Sequence, residues 1–563
     1  MSSRALSTVC PDHSVLATSS SLTPIAVIKP PMAKIADVFG RLEALCISIL
    51  LCVLGYIQMA ASQNVQTYAS AQIFYSAGST GLQILQQVFI ADTSDFLNRA
   101  LFSSLPDSPF LVTVWIGPAI AAAILANTSW RVGYAMWAVI LPIAFLPLAL
   151  SLFMNGRKAE RMGLLTTKRA EQEGVEDEST GATIKRLFHD LDVGGTLLFS
   201  AGLALILVPM SLVSRYQSGW HDPKLWFMIL TGILLLVLFP VWESRPDLAP
   251  HPLLPLQLLK SRTFCAGCAL GFFYFAVFYI AVQPYFYSYL LVALNLPVSR
   301  AGPITQTFSF ASTIAALTAS LIIRRLRAPR PRPFILTGAI LYTVAIAVLL
   351  HTRTRAASIP SLFAAQTALG GGAGLMHVAT QLVVQAAAAS TDTSTHQAGQ
   401  QYVGVATAAF LTLVQVGAAC GSAVSGAVWG ALVPGKLRAY LPDGVRGEAD
   451  KIYASVVVAC SYAWGSPERE AIARSYQETI TVLLWVALVA CGPVLGMAAL
   501  VGDYRLDGIG NGMRRVETGD RAASDGGREG EARGVRRGSW SSWWGRSKAR
   551  TSSVSVLSVH SAE

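Results

Sequence analysis

Charge is scarce in this chain: only 13% of its 563 residues are Asp, Glu, Lys or Arg, against about 25% in ordinary soluble domains. A water-soluble globular fold of this length would need more polar surface, so that class is excluded. Of the eight cysteines, Cys46, Cys52, Cys265, Cys268, Cys420 and Cys491 lie in apolar stretches, which argues against a disulfide framework. Cys265 and Cys268 have the spacing of half a metal site. No second pair or histidine ligand stands near them, so they read as packing residues and no metal is expected. No nucleophile–base pair and no Gly-rich phosphate loop can be found, so neither an enzyme nor a cofactor is expected. The formal charge of +11 would suggest nucleic acid in a soluble protein. Here the basic residues collect in loops and the tail, orientation in a bilayer accounts for them, and no nucleic-acid partner is expected.

Hydrocarbon fills the chain instead. Of the residues, 53% are hydrophobic, and a helix of roughly 20 such residues spans the ~30 Å apolar layer of a bilayer. Stretches of this kind fall at roughly 42–61, 68–91, 110–126, 133–154, 191–213, 225–242, 263–290, 299–323, 333–351, 359–388, 401–433 and 478–501, with a weaker piece at 14–29. Backbone groups find no water inside lipid, so repeated spans mean a helical bundle. The expected fold class is an all-α polytopic membrane protein with about 12–13 transmembrane helices. Linker 155–190 and loop 324–332 carry the densest basic residues and should be cytoplasmic. Four spans separate them, so the two assignments agree. The same alternation puts 434–477 outside and the tail inside, with Arg353 and Arg355 as exceptions. The tail beyond residue 502 is rich in Gly, Ser, Arg and Glu and is expected to be disordered, with Trp540, Trp543 and Trp544 set among basic residues.

Polar side chains are costly in lipid, so inside spans they face a partner or a water-filled path. Three stripes recur at helical spacing. Gln72, Ser76, Thr80, Gln83 and Gln87 form one, Tyr279, Gln283 and Tyr287 a second, and Gln366, Gly370, Gly374, His377, Gln381 and Gln385 a third. Hydrogen bonding between helices would explain them without a ligand. Gln83, Gln87, Tyr279, Gln283, Tyr287 and Gln381 are the candidates for a cavity holding a bulky, hydrogen-bonding cargo. His377 is the ionisable side chain near the middle of a span and the candidate for proton coupling, with a neutral packing histidine as the other reading. Gly417, Gly421, Gly426 and Gly430 have the spacing of close helix contact.

The run Pro30-Pro31-Met32-Ala33-Lys34-Ile35-Ala36-Asp37-Val38-Phe39-Gly40-Arg41 resembles the cytoplasmic loop motif of the major facilitator superfamily. That resemblance implies a cytoplasmic gate carried by Lys34, Asp37, Gly40 and Arg41. More specifically, most of 14–505 resembles the fungal siderophore–iron transporters, a family of fourteen-helix proton symporters. Pro255–Thr263 with Gly271-Phe272-Phe273 and Tyr287-Ser288 is similar to the family's ninth helix. Gly399-Gln400-Gln401 and the Gly-rich helix ending at Trp429 are similar to its thirteenth. Ile452-Tyr453 and Ser461-Tyr462-Ala463-Trp464-Gly465-Ser466-Pro467-Glu468-Arg469 resemble its last extracellular loop. Two departures stand out. The family's first helix is expected to be missing, and Tyr274 stands where the resemblance implies an acidic residue.

The resemblance implies proton-coupled uptake of a ferric siderophore, with protons and the lipid bilayer as the other partners and a monomer as the expected state. It implies a multi-pass protein of the plasma, endosomal or vacuolar membrane. Domains are expected at 1–13 (N-terminal segment), 14–154 (incomplete N-terminal half), 155–190 (linker), 191–242 (two additional helices), 243–501 (C-terminal half, with external loop 434–477) and 502–563 (tail). In that loop Tyr453, Tyr462, Trp464 and Arg469 are candidates for docking a chelate. A fourteen-helix drug–proton antiporter is the alternative, although Ala121 and Ala122 replace the paired glycines that its motif has after Gly117-Pro118. A truncated, non-transporting remnant or sensor is the third reading.

Overall fold

The structure is a computed structural model of the chain. It describes residues 39–94, 96–161, 192–212, 222–245, 256–325, 330–353, 358–390 and 396–503, together with 28, 31–32, 35–36, 188–189, 247 and 250. These lie in one compact unit, Met1–Asn511; a second, Gly512–Glu563, falls outside the described residues. So do 14–27 and 29 of the weak piece 14–29, Lys34, Asp37, linker residues 162–187 and 190, and the tail tryptophans.

Each of the twelve apolar stretches contains a helix. In chain order these are α1 (Arg41–Ala61), α2 (Val65–Thr93), a short α3 (Phe96–Ser104), α4 (Phe110–Asn127), α5 (Trp130–Arg161), α6 (Val193–Leu212) and α7 (Pro223–Glu243). They continue as α8 (Arg262–Ala281), α9 (Phe286–Val292), α10 (Val298–Arg325), α11 (Arg332–Thr352), α12 (Ile359–Ala389) and α13 (His396–Tyr440). Two short pieces, α14 (Ala449–Ala454) and α15 (Val456–Ser461), precede α16 (Pro467–Leu500). Among the described residues, nine helices are long and apolar enough to cross a membrane by length and composition. The chain is an integral, multi-pass membrane protein.

Local chemistry sets the helix starts. Asn64 accepts from the Thr67 N–H at 2.8 Å while Thr67 Oγ1 takes the Asn64 N–H, a reciprocal cap for α2. At the start of α6, Asp192 Oδ1 accepts from the Gly195 N–H at 3.1 Å and from Trp242 Nε1 at 3.0 Å, tying α6 to α7. Gly40 has φ 112°, a left-handed conformation that suits glycine and turns the chain into α1.

The seventh stretch, 263–290, was expected as one helix and is two. Pro284 has no N–H, so the Ile280 carbonyl cannot be bonded four residues on. Val282 and Gln283 both donate to Phe278 O instead, at 2.9 and 3.2 Å, and Ser425 Oγ donates to the freed Ile280 O at 3.3 Å. The connection expected over 434–477 is also shorter than that. Helix α13 runs through Pro434 to Tyr440. Helix α16 begins at Pro467, where Ser466 Oγ accepts from the Arg469 N–H at 3.2 Å and Glu468 and Glu470 sit in the first turn.

Helix α12 is the axis of the C-terminal part. Buried residues make up 72% of its apolar window, against none for α5, whose exposed Ile143, Leu146 and Leu150 suit lipid. It packs between α10 and α11, while α8 packs on α13 and α16. Close approach comes from small residues: a methyl at Gly374 would collide with Ser312 O, and one at Gly417 with Phe272 O. Helices α1, α2 and α5 form the N-terminal group, and α6 pairs with α7 and touches α13. The two groups meet through α3 and α4 on α10, α3 on α12, and α2 on α13.

Candidate functional site

The third stripe, on α12, gives the structure its most informative contacts. His377 Nδ1 is hydrogen-bonded to the Tyr274 hydroxyl of α8. Tyr342 of α11 donates to the Tyr274 carbonyl at 2.9 Å, and the rings of Phe275 and Phe410 stand 6.4 and 5.7 Å from the imidazole. One polar pair is thus held inside an aromatic wall built from α8, α11, α12 and α13. Tyr274 is buried with only 2% exposure, so its phenol has no competing water supply. Tyr274, where the resemblance implied an acidic residue, is the partner of the proton candidate.

One turn further on, Gln381 Nε2 donates to Gln87 Oε1 of α2 at 3.0 Å. This bond joins the N-terminal group to the C-terminal one. Near it, Ser104 Oγ of α3 lies 2.9 Å from Ser320 Oγ of α10, and Ser320 Oγ also reaches Ala100 O at 3.0 Å. Gln385 donates to Thr407 Oγ1 at 2.9 Å, binding α12 to α13. The space among Ala100, Ser103, Val378, Gln381, Leu382 and Gln385 has no room for a water molecule. This tight end is the one where α10 terminates in Arg324 and Arg325, the basic end of the bundle. Gln83, one turn before Gln87 on the same face, is exposed.

The second stripe does not survive as a stripe. Tyr279 is half-buried, 6.2 Å from the Phe275 ring, and packs on the apolar seam of Leu203, Leu207 and Val416. Gln283 is exposed at the break, and Tyr287 restarts on α9, half-buried against the C-terminal core. Pro284 was the signal that the spacing count passed over.

At the end of the bundle opposite Arg324 and Arg325, where the external loop was expected, aromatic rings anchor rather than dangle. Tyr285 stacks on Trp429 with centroids 4.2 Å apart, and Tyr476 meets Trp429 edge-on at 5.0 Å. Arg469, expected as a docking cation, is 1% exposed. Its guanidinium bonds to the Ala459 carbonyl and donates to Leu291 O at 3.3 Å, tying α16 to α15 and α9. The physical reason is position: Arg469 lies in the first turn of α16, underneath the connection rather than in it. Trp464 is 53% exposed, above Arg469 at 5.8 Å. Tyr453 packs half-buried against the core, and Tyr462 donates to Glu448 Oε2 at 2.9 Å. Burial, and then that carboxylate, push the Tyr462 phenol above its ordinary range, so it stays a neutral donor. Arg353, the exception to the charge rule, is a brace: its Nε donates to Thr481 Oγ1 at 2.7 Å, and Gln477 donates to its carbonyl at 3.2 Å. Of the gate motif only Gly40 and the half-buried Arg41 are described. Among the described residues, no group of three or more His, Cys, Asp or Glu could hold a metal ion.

The sequence matches the Major Facilitator Superfamily profile over residues 12–422. It is 52% identical over 482 residues to the "MFS siderochrome iron transporter C" of Aspergillus fumigatus, a match covering 86% of this chain and 76% of that protein. It is also 52% identical over 482 residues to the "Siderophore iron transporter mirC" of Emericella nidulans, covering 86% and 77%. Over 510 residues it is 34% identical to the "Siderophore iron transporter 1" of Schizosaccharomyces pombe, covering 88% and 77%.

Proposed function

The chain belongs to the siderophore–iron transporters of the major facilitator superfamily, and we propose that it imports ferric siderophores by alternating access, driven by proton entry. The observation that carries the cargo is the 52% identity over 482 residues to siderophore-named relatives, a length that takes in both helical groups. The chemistry of the stripes suits such a cargo. A ferric chelate is bulky and rich in hydrogen-bonding oxygens, and neutral amides and phenols can bind it without the desolvation cost of a buried charge. Gln83 and Gln87 from one group, with Gln381, Tyr279 and Gln283 from the other, supply groups of that type.

In the alternating-access cycle, the Gln87–Gln381 and Ser104–Ser320 bonds keep the cytoplasmic end shut while cargo enters from outside. His377 takes the proton. In the tautomer with the proton on Nε2 its neutral imidazole accepts from Tyr274, and a protonated ring must turn that bond around, because both ring nitrogens then donate. That reversal gives the protonated and neutral states different demands on α8 and α12. Tyr453, Tyr462 and Trp464 are the outer aromatic groups placed to receive a chelate first, and the membrane is that of the cell surface or an endosomal or vacuolar compartment.

The test is uptake. Cells lacking their own importers, given this chain, are expected to accumulate radiolabelled ferric hydroxamate, and collapse of the proton gradient is expected to abolish the gain. His377→Gln is expected to lose gradient-driven accumulation at unchanged surface abundance while retaining exchange of label across the membrane. Drug export without chelate uptake would overturn the reading.

A further inference from the structure

At the basic end of the bundle three helix termini converge: the starts of α8 and α11 and the end of α16. Arg262, Thr263, Arg332 and the run Ala499 to Gly502 line a cavity of about 260 Å³ between them. Two guanidinium groups share this space, and none of its lining residues is acidic. Asp503, the next residue along, is paired with Arg330 at 3.4 Å. Arg262 is exposed and has no ion pair among the described residues. Arg332 donates Nη2 to Ala499 O at 3.0 Å, but its Nε is cut off from solvent and has no partner. A shielded, unbonded guanidinium N–H is costly to leave so, and it marks a position where an acceptor would be stabilising.

The helix starts point the same way. On α8, Ser261 Oγ caps only the Phe264 N–H, at 3.4 Å, and on α11 no side chain caps the first turn. Two positive dipole ends therefore add to two fixed cations. Leu500, also on the lining, is exposed at 38%, so apolar surface lies beside the charged space. An anion with a hydrocarbon neighbour is the chemistry of a lipid headgroup, and basic pockets between helices on the cytoplasmic side suit such groups.

We propose that this cavity binds the net-negative headgroup of an anionic phospholipid from the cytoplasmic leaflet, its phosphate seated between two guanidinium groups that disfavour the choline cation of a zwitterionic lipid. The phosphate bridges α8, α11 and α16, fastening three helices of the C-terminal group at one end, so the bound lipid stabilises the folded protein. The site makes no use of the cargo, and its test needs no transport.

The protein is placed in bilayer discs of phosphatidylcholine alone, or of phosphatidylcholine with about a fifth of phosphatidylserine, and unfolding is followed by tryptophan fluorescence. Phosphatidylserine is expected to raise the Tm by about 2–4 °C. Arg262→Ala, an exposed position, and Arg332→Gln are each expected to lose most of that rise, while Arg262→Lys keeps part of it. Inorganic phosphate added to the phosphatidylcholine discs is expected to leave the Tm unchanged. An equal rise in the wild type and in Arg262→Ala would overturn the site. A rise with inorganic phosphate alone would overturn the lipid as its source.

Discussion

Among the described residues, an amide pair and a hydroxyl pair join the two helical groups at the tight end. A neutral hydrogen bond contributes a net ~0.5–1.5 kcal/mol, so it can be broken and remade in each cycle, whereas separating a buried ion pair would leave two desolvated charges. Gln381→Ala should therefore shift the resting population toward the inward-open state about two- to tenfold, read as faster labelling of a cysteine introduced at the cytoplasmic mouth. Gln87→Ala should do the same, and the double variant should add little to either, because both remove one bond. Strict additivity would separate the two residues. The spacing of the sequence placed Gln87 on one stripe and Gln381 on another, but helical periodicity fixes a face and not what the face meets. The Ser104–Ser320 contact had no signal at all, since α3 is too short and mixed to read as an element. Tyr274 was legible only as a departure from a pattern, and its meaning came from His377 beside it.

At the scale of elements, apolar length carried most of the information. Every stretch long enough to span a bilayer contains a helix, because lipid leaves the backbone no other partner. Ends and breaks were harder. The charged run Glu468 to Arg474 hid the start of α16, although Ser466-Pro467 followed by two acids is itself a helix-start pattern. That difference changes what Arg469 does. Its loss would leave the Ala459 and Leu291 carbonyls without their donor and a void under the connection, at a cost of ~2–4 kcal/mol. Arg469→Ala is thus expected to reduce surface protein several-fold while chelate binding per surface molecule stays normal. Trp464→Ala, at an exposed position, should leave abundance intact and lower binding to chilled cells. Normal abundance with lost binding in Arg469→Ala would restore it to a docking role.

At the scale of the molecule, the described residues carry an amide-bonded end, a part-buried His–Tyr pair in the C-terminal group and an anchored cap at the opposite end. Which helices neighbour which could not be read from the sequence, because the contacts between groups span hundreds of residues and rest on small side chains that look alike. The order of the helices along the chain and the membrane class could be read, because each follows from a local count of apolar residues. The central claim is that proton entry drives inward movement of a ferric siderophore. The most direct measurement uses purified protein in sealed vesicles loaded at pH 7.5 and diluted into pH 5.5 buffer containing radiolabelled ferric hydroxamate, about 100-fold in protons and worth ~2.7 kcal/mol per proton. Accumulation above the outside concentration, abolished by a protonophore and absent in His377→Gln, is the predicted result. Equilibration without accumulation in the intact protein would contradict it.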